Sequence, residues 1–399
     1  MSTENKVQIP YVRLGTSGLK VSRLILGCMC KCSPHICVQQ LKSAQLKRME
    51  HPNGNNEYSM RRPVSNISDM LTKLGSILLS EIPSYPYQKA IAHGELSTAD
   101  VYSGGVSEEV LGKAIKEIGA PRESIVVLTK LFNPVIRPGS GAKVDPNGRG
   151  LSRKHIFEAV QASLKRLQLD YIDVLQRHRF DYDTPIAETM QALHDVVEKG
   201  WVRYIGMSSC WAYQFQAMQN YAINNKLTPF ISMQNFHNAA YREEEREMMP
   251  TLKLLNVGCI PWSPLCRGFL SRPWNAEETV RVKTDANYKG RGHDKPDDSR
   301  KAINERVEEV AKKKRISMAQ VALAWSLSND FITAPIVGST SLDNLKELIG
   351  ALDVKLTPEE KAYIDEPYAP RSIVSPLMVL YCSLSLIVVR SLDMCKRHE

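Results

Sequence analysis

The feature that most constrains the fold is a regular alternation of short apolar segments with amphipathic helical segments. We predict strands at 21–27, 124–130, 171–176, 202–208, 230–234, 257–262 and 333–337, with an eighth ending near Ala99. Strands that are each separated by a helix are typical of a parallel sheet. Eight such units in 399 residues predict an α/β fold of the (β/α)8, or TIM, barrel type.

The segments next to these strands support the same architecture. A doubly wound sheet, the competing fold, would place a G-x-G-x-x-G motif after the first strand, and the sequence has none there. Before the first strand, the turn residues Thr16-Ser17-Gly18 predict an N-terminal hairpin. Ser152 predicts the N-cap of a helix, and Thr184-Pro185 predicts the start of the next one.

The net charge of +9 raises the question of a nucleic-acid partner. Residues 98–370 carry 36 basic and 35 acidic side chains, so the excess lies in the rest of the chain. A nucleic-acid surface would require basic residues clustered on one element with aromatic residues between them. We therefore expect no nucleic-acid partner.

The nine cysteines are an odd number, and no signal peptide precedes them, which predicts a reduced, cytoplasmic environment. Residues 28–37 contain four cysteines and one histidine. Their spacing is tighter than that of paired zinc ligands, so we expect no metal site.

Polar motifs follow the predicted strands at the ends where a barrel carries its chemistry. They are TADVYSGGVSEEVLGKAI at 98–115, LTK at 128–130, QRHRFD at 176–181, IGMSS at 205–209 and IVGSTS at 336–341. In this order they resemble the aldo-keto reductase family, and more closely its fungal aryl-alcohol dehydrogenase and versiconal reductase-like subfamily. The resemblance covers 8–29 and 98–370. It implies NADPH-dependent reduction of an aldehyde or ketone, without metal.

The resemblance implies three catalytic residues. Tyr102 would be the general acid that protonates the carbonyl oxygen, although a free phenol has a pKa near 10. Lys130 would lower that pKa through its positive charge. His178 would orient the carbonyl and complete a polar pocket for the developing oxyanion.

The resemblance also implies a set of cofactor-binding residues. Ser208, Ser209 and Gln234 would hold the nicotinamide carboxamide, and Trp262 would stack on the nicotinamide ring. The other members are Ser263, Leu265, Arg267, Gly338, Ser339, Thr340, Ser341, Asn344 and Glu347, of which those from Gly338 onward would line the pyrophosphate and adenosine end. Arg267 and Lys346 are the candidate cations for a 2′-phosphate, which favours NADPH.

The sequence departs from the family in two segments. Residues 31–97 replace the first βα unit, and Ser97 stands where the family has an aspartate that pairs with the lysine. A hydroxyl cannot neutralise an ammonium, and we do not expect Asp100 to substitute for the missing carboxylate. Within the replaced segment, Ile67–Ile82 predicts a helix that could serve as the outer helix of the unit.

The second departure is an apolar tail at 371–399. Residues 373–389 are a marginal length for a membrane span, and Pro376 and several serines lower their hydrophobicity. We expect no membrane association. The predicted organisation is one barrel domain over 1–370, with 31–97 as a replacement, followed by this tail.

Two functional hypotheses remain open at this stage. The first is an NADPH-dependent carbonyl reductase acting on a small molecule in fungal secondary metabolism or toxin biosynthesis. The second is a catalytically impaired barrel that binds nucleotide as a regulatory or interaction protein, which Ser97 and the altered first unit favour. Consumption of NADPH with an aromatic aldehyde distinguishes them.

Overall fold

The computed structural model describes residues 9–28, 95–119, 121–277, 297–339 and 342–374. Several predictions therefore lie outside the described residues. They are the cysteine cluster after Cys28, the helix at Ile67–Ile82, the cofactor-binding roles of Thr340 and Ser341, and the apolar tail beyond Val374.

The described residues contain an antiparallel hairpin and one eight-stranded sheet. The strands are β1 Tyr11–Arg13, β2 Lys20–Ser22, β3 Ile25–Gly27, β4 Glu95–Ser97, β5 Val126–Leu131, β6 Ile172–Arg177, β7 Val202–Ser208, β8 Phe230–Gln234, β9 Gly258–Cys259 and β10 Ile336–Val337. The hairpin pairs β1 with β2, as the turn residues predict. The strand order of the sheet is β10-β3-β4-β5-β6-β7-β8-β9.

Helices connect the strands of the sheet. Those in the described residues are α1 Val106–Ile118, α2 Arg153–Leu167, α3 Ile186–Glu198, α4 Ala212–Asn224, α5 Met248–Leu254, α6 Asp298–Lys314, α7 Met318–Leu327, α8 Leu342–Gly350 and α9 Pro358–Asp365. The pairings β3–β4, β4–β5, β7–β8 and β8–β9 are parallel. Parallel bridges also join Cys259 to Ile332 and Trp262 to Ile336, next to β10. The fold is the predicted (β/α)8 barrel with an N-terminal hairpin.

Three predicted strands are shorter than expected. The segment 21–27 divides into β2 and β3 because Ser22 Oγ donates to the Leu24 carbonyl oxygen at 2.6 Å and the chain turns there. The strands β9 and β10 keep only two residues each of the predicted 257–262 and 333–337. Pro261 and Pro335 lie beside these strands, and a proline has no N–H to donate to a ladder.

The eighth strand is present as β4, immediately before the predicted end at Ala99. Its three residues are all buried. Leu96 pairs with Leu26 on one side and with Val127 on the other. The strand that carries Ser97 therefore forms although its sequence, Glu95-Leu96-Ser97, is a weak match to a buried parallel strand.

The contacts divide the chain into two compact units. Of the described residues, the first unit holds 9–25, 177–190 and those within 204–374, and the second holds those within 26–176 and 191–203. The core of the first unit forms where α6 and α7 pack around the fully buried Trp325. The core of the second forms where α1 packs on α2.

The hairpin of the first unit is tied to its later part by one side chain. Arg23 Nη1 donates to the carbonyl oxygens of Ile332 at 2.6 Å and Thr333 at 2.5 Å, and Nη2 donates to that of Leu327 at 3.0 Å. The Leu327 carbonyl is one of the orphan acceptors at the end of α7, so the guanidinium also caps that helix.

Candidate active site

A tight turn after β4 carries Tyr102. Residues Tyr102–Gly105 form one turn of 3-10 helix in which Ser103, Gly104 and Gly105 all have positive φ angles. A Cβ on Gly104 would lie 2.5 Å from the Ile136 carbonyl oxygen, so only glycine fits there. The turn leaves Tyr102 half-buried at the C-terminal end of its strand.

Lys130 lies at the end of the neighbouring strand β5 and is almost fully buried, with 2% exposure. Its Nζ donates to the Thr98 carbonyl oxygen at 2.7 Å and to Ser97 Oγ at 3.4 Å. The same Nζ lies 5.2 Å from the centroid of the Tyr102 ring. The structure thus brings Tyr102, Lys130 and Ser97 together within the second unit.

Asp100 is the nearest carboxylate in sequence to Ser97 and is fully buried. Burial, and then the nearby Glu108, raise the pKa of Asp100 well above its usual range, against smaller opposing effects of Arg166 and Lys130. That Asp100 does not substitute for a carboxylate at position 97 stays a prediction.

His178 belongs to the first unit and directly follows β6, where it is half-buried. The preceding residue, Arg177, is completely buried. Its Nη2 donates to the Gly206 carbonyl oxygen at 2.9 Å, and its guanidinium lies 3.5 Å from the centroid of the Phe230 ring. Arg177 therefore fixes the strand end that carries His178.

Four of the predicted nicotinamide-binding residues form one connected group at the ends of β7 and β8. Ser208 Oγ donates to the Gln234 carbonyl oxygen at 2.8 Å and lies 3.5 Å from Ser209 Oγ. Trp262 Nε1 donates to Ser209 Oγ at 3.4 Å. On its other side the Trp262 ring stacks on Phe236, with 4.5 Å between centroids. The structure therefore brings these four residues together within the first unit.

The loop after Trp262 holds three more of the predicted residues. Ser263 and Arg267 have positive φ angles, and Arg267 lies 5.7 Å from the Trp262 ring centroid. Leu265 packs against hydrophobic clusters of the first unit, so it also has a role in the core. Sequence reasoning missed Asn238, whose Nδ2 donates to the Ser263 carbonyl oxygen at 3.2 Å. The available signal was the polar run Gln234–Asn238 directly after a strand.

The remaining predicted residues follow β10. Gly338 is exposed and Ser339 is half-buried, and both lie in the loop before α8. Asn344 is exposed on α8, and Glu347 further along that helix accepts at its backbone oxygen from Gln320 Nε2 at 3.1 Å. The described residues contain no group of His, Cys, Asp and Glu side chains that could hold a metal ion. No helix among them is long and apolar enough to cross a membrane.

Comparison with known proteins identifies relatives along most of the chain. The profile of the aldo/keto reductase family matches residues 91–369. The chain is 45% identical to a versiconal hemiacetal acetate reductase of Aspergillus parasiticus over 374 residues, which cover 91% of this chain and 98% of the relative. It is 43% identical over 380 residues to a putative aryl-alcohol dehydrogenase, C977.14c, of Schizosaccharomyces pombe, covering 90% and 96%. A putative aryl-alcohol dehydrogenase, AAD16, of Saccharomyces cerevisiae is 38% identical over 375 residues, covering 92% and 98%.

Proposed function

Because the chain belongs to the aldo/keto reductase family, we propose that it reduces an aldehyde or ketone to the alcohol with NADPH, using Tyr102 as the general acid. The observation that carries this proposal is the buried Lys130 Nζ, 5.2 Å from the centroid of the Tyr102 ring. Reductases of this family generally use NAD(P)H. A phenol beside an ammonium at the end of a barrel strand is the arrangement that a proton donor to a carbonyl oxygen requires.

The proton transfer follows from the contacts of Lys130. Its ammonium favours the phenolate form of Tyr102, so the phenol gives up its proton more readily to the carbonyl oxygen. The two neutral oxygens of Ser97 and Thr98 keep the ammonium next to the ring. For His178 we propose the role that the family implies, which is to orient a carbonyl and stabilise its developing negative charge.

The residues of the first unit fit a nicotinamide dinucleotide by the chemistry of their groups. Ser208, Ser209 and Gln234 offer hydroxyl and amide groups for a carboxamide, and the Trp262 ring offers a face for stacking. When bound, the cofactor supplies the hydride for the carbonyl carbon. Arg267 would pair with a 2′-phosphate, which is why we propose NADPH over NADH.

The names of the relatives suggest the substrate class. One is named a versiconal hemiacetal acetate reductase, and others are named putative aryl-alcohol dehydrogenases. We propose an aromatic carbonyl compound of fungal secondary metabolism as the substrate, and the cytoplasm as the location. We propose no nucleic-acid partner.

A second candidate function is nucleotide binding without turnover. The observation that favours it is the neutral Ser97 hydroxyl, 3.4 Å from Lys130 Nζ, at the position of the family's aspartate. In that case the protein would bind NADPH as a regulatory or interaction subunit.

One assay separates the two candidates. The purified protein is incubated with NADPH or NADH and a panel of aromatic aldehydes, and the loss of reduced nucleotide is followed. We expect turnover with NADPH that falls at least about 100-fold in Tyr102→Phe, the scale of general acid catalysis. Tight NADPH binding without turnover on any aldehyde of the panel would support the second candidate instead.

A further inference from the structure

Glu108 is a completely buried carboxylate that the proposed mechanism does not use. It lies in the first turn of α1, and each of its oxygens accepts a hydrogen bond from a different element. Oε1 accepts from Thr129 Oγ1 of β5 at 2.6 Å, and Oε2 accepts from Arg166 Nε of α2 at 2.7 Å. Arg166 Nη2 in turn donates to Ser163 Oγ at 3.1 Å. One carboxylate therefore joins a strand and two helices.

Both ends of this network reach the groups assigned to catalysis. Thr129 directly precedes Lys130. The Arg166 side chain crosses Gly105, the last residue of the Tyr102 turn, so closely that a Cβ there would lie 2.9 Å from Arg166 Cδ. A shift of Glu108 would therefore move both the strand end that carries Lys130 and the turn that carries Tyr102.

Ser107 makes a second connection beside the first. Its Oγ lies 2.8 Å from Thr98 Oγ1 and donates to the Cys28 carbonyl oxygen at 2.5 Å. The Thr98 carbonyl oxygen is the acceptor that holds Lys130 Nζ at 2.7 Å. Adjacent residues of α1 thus brace the two strands on which Lys130 depends.

We propose that Glu108, with its partner Arg166, is a positioning residue that sets the distance between the Lys130 ammonium and the Tyr102 phenol. This inference rests on the proposed function, because it takes Tyr102 and Lys130 as the acting pair. A buried ion pair is costly to desolvate and is weak evidence for stability. The Glu108–Arg166 pair lies between the elements that carry Lys130 and Tyr102, which points to a role in holding these two side chains in position.

The test compares Glu108→Gln with Glu109→Gln. Glu109 is the next residue of the same helix and pairs with the largely exposed Arg137, so its variant is a matched control. We expect kcat of Glu108→Gln to fall about 10- to 100-fold, the scale found when a supporting hydrogen bond is lost, with KM changed less than about threefold. Glu109→Gln should keep wild-type values.

The phenol titration gives a readout that does not depend on turnover. It is measured as the difference in phenolate absorbance between each variant and its Tyr102→Phe counterpart. We expect Glu108→Gln to raise the pKa of Tyr102, because the ammonium moves away from the ring. A carboxylate acting only through its charge would produce the opposite sign, since its removal would lower the pKa of the phenol.

A double variant separates geometry from stability. Glu108→Gln alone leaves the half-buried Arg166 guanidinium without its carboxylate, whereas Glu108→Gln with Arg166→Met removes both charges and should restore much of the Tm. We expect kcat to stay low in the double variant despite the restored Tm. Recovery of kcat together with Tm would overturn the inference, and so would a Tyr102 titration unchanged by Glu108→Gln. If the wild-type protein shows no turnover, the proposed function fails, and the titration still decides the positioning role.

Discussion

At the scale of single residues, Ser97 has the most direct influence on the proposed chemistry. Its hydroxyl accepts a long hydrogen bond of 3.4 Å from the Lys130 ammonium and carries no charge of its own. We expect Ser97→Asp to raise kcat about 10-fold, because a carboxylate would form an ion pair with the ammonium, which the uncharged Ser97 hydroxyl cannot do, and would anchor it beside Tyr102. The measurement is NADPH turnover with the best aldehyde of the panel.

Ser97→Asn is the control for size at this position. It has nearly the shape of aspartate without the charge, so it should leave kcat close to that of the wild-type protein. Equal kcat values for the aspartate and asparagine variants would contradict the idea that the missing charge limits turnover.

Glu244 gives a prediction about stability and pH. Burial raises the pKa of Glu244 to about 7, with an opposing hydrogen bond from Asn235 Nδ2 at 2.8 Å and an added contribution from Glu243. The folded pKa lies above the usual value of 4.5, so the contribution of this group is fully present below pH 4.5 and is lost as the pH rises through about 7.

Glu244→Gln should remove the loss of stability that the ionisation of Glu244 causes as the pH rises. We expect the variant to match the wild-type free energy of unfolding near pH 4 and to exceed it by about 2 kcal/mol at pH 8. This is the pKa shift at about 1.4 kcal/mol per unit, reduced because Glu244 is partly exposed. Urea unfolding at the two pH values measures this. Glu247→Gln, at an exposed position nearby, should show no such difference. A Glu244→Gln advantage of equal size at both pH values would contradict the assignment.

Single residues also show which parts of the candidate site could be predicted from the sequence. Tyr102 and Lys130 were found because a motif names each of them, and the structure brings them together. Glu108 lies in one of the same motifs, yet its role was invisible, because its partners Thr129 and Arg166 come from segments 21 and 58 residues away. Pairing between buried polar groups depends on tertiary packing, which no local pattern encodes.

At the scale of elements, α1 and α2 approach each other closely at one glycine. A Cβ on Gly112 would lie 2.2 Å from the Leu167 carbonyl oxygen, which belongs to the rigid backbone at the end of α2. We expect Gly112→Ala to force the helices apart and lower the free energy of unfolding by about 1–3 kcal/mol, as overpacking usually does. Thermal and urea unfolding both report this change.

Gly18→Ala is the matched control for the backbone effect of adding a methyl group. It lies in the hairpin turn with nothing within 4 Å of the added Cβ. We expect its Tm to remain near that of the wild-type protein. A Gly112→Ala protein as stable as Gly18→Ala would show that the two helices separate without cost.

The elements themselves were largely predictable. The helix after Ser152 begins where the cap predicts, since Ser152 accepts a hydrogen bond from the His155 N–H. The ends of the strands were harder to predict. The strand β9 has only two of the six residues predicted at 257–262, because Pro261 has no N–H to donate to a neighbouring strand. The strand β4 was the least expected element, because Glu95 and Ser97 have little preference for a buried strand. Glu95 is held there by pairing with Val126, and Ser97 by pairing with residues of β3 and β5.

At the scale of the whole molecule, nucleotide binding should appear as stability. A ligand that binds only the folded protein at 100 times its Kd stabilises it by about 2.7 kcal/mol. We therefore expect saturating NADPH to raise the Tm by a few degrees, and NADH at the same concentration to raise it less. Differential scanning fluorimetry measures both shifts.

This shift is independent of turnover, so it holds for either proposed function. Arg267→Met should reduce the NADPH shift to the size of the NADH shift, because the cation proposed for the 2′-phosphate is removed. Equal shifts with the two nucleotides in the unmodified protein would contradict the preference for NADPH.

The barrel as a whole followed from the alternation of strands and helices, which is a property of the entire sequence. The net charge of +9 could also be interpreted only from the distribution of charged residues along the whole sequence, because residues 98–370 are nearly neutral. The substrate could not be predicted from the sequence pattern. It depends on how the loops after the strands pack, and the loop at 266–300 is partly outside the described residues.

The three bonds of Arg23 set an order of events during synthesis. Its carbonyl partners, Leu327, Ile332 and Thr333, are made 304 to 310 residues later. Because a ribosome adds residues one at a time from the N-terminus, Arg23 can form these bonds only after residue 333 has been synthesised. A pause or break in translation before residue 327 would therefore leave the hairpin with its earlier contact, from the Thr16 N–H to the Asn256 carbonyl oxygen, and without the three bonds of Arg23.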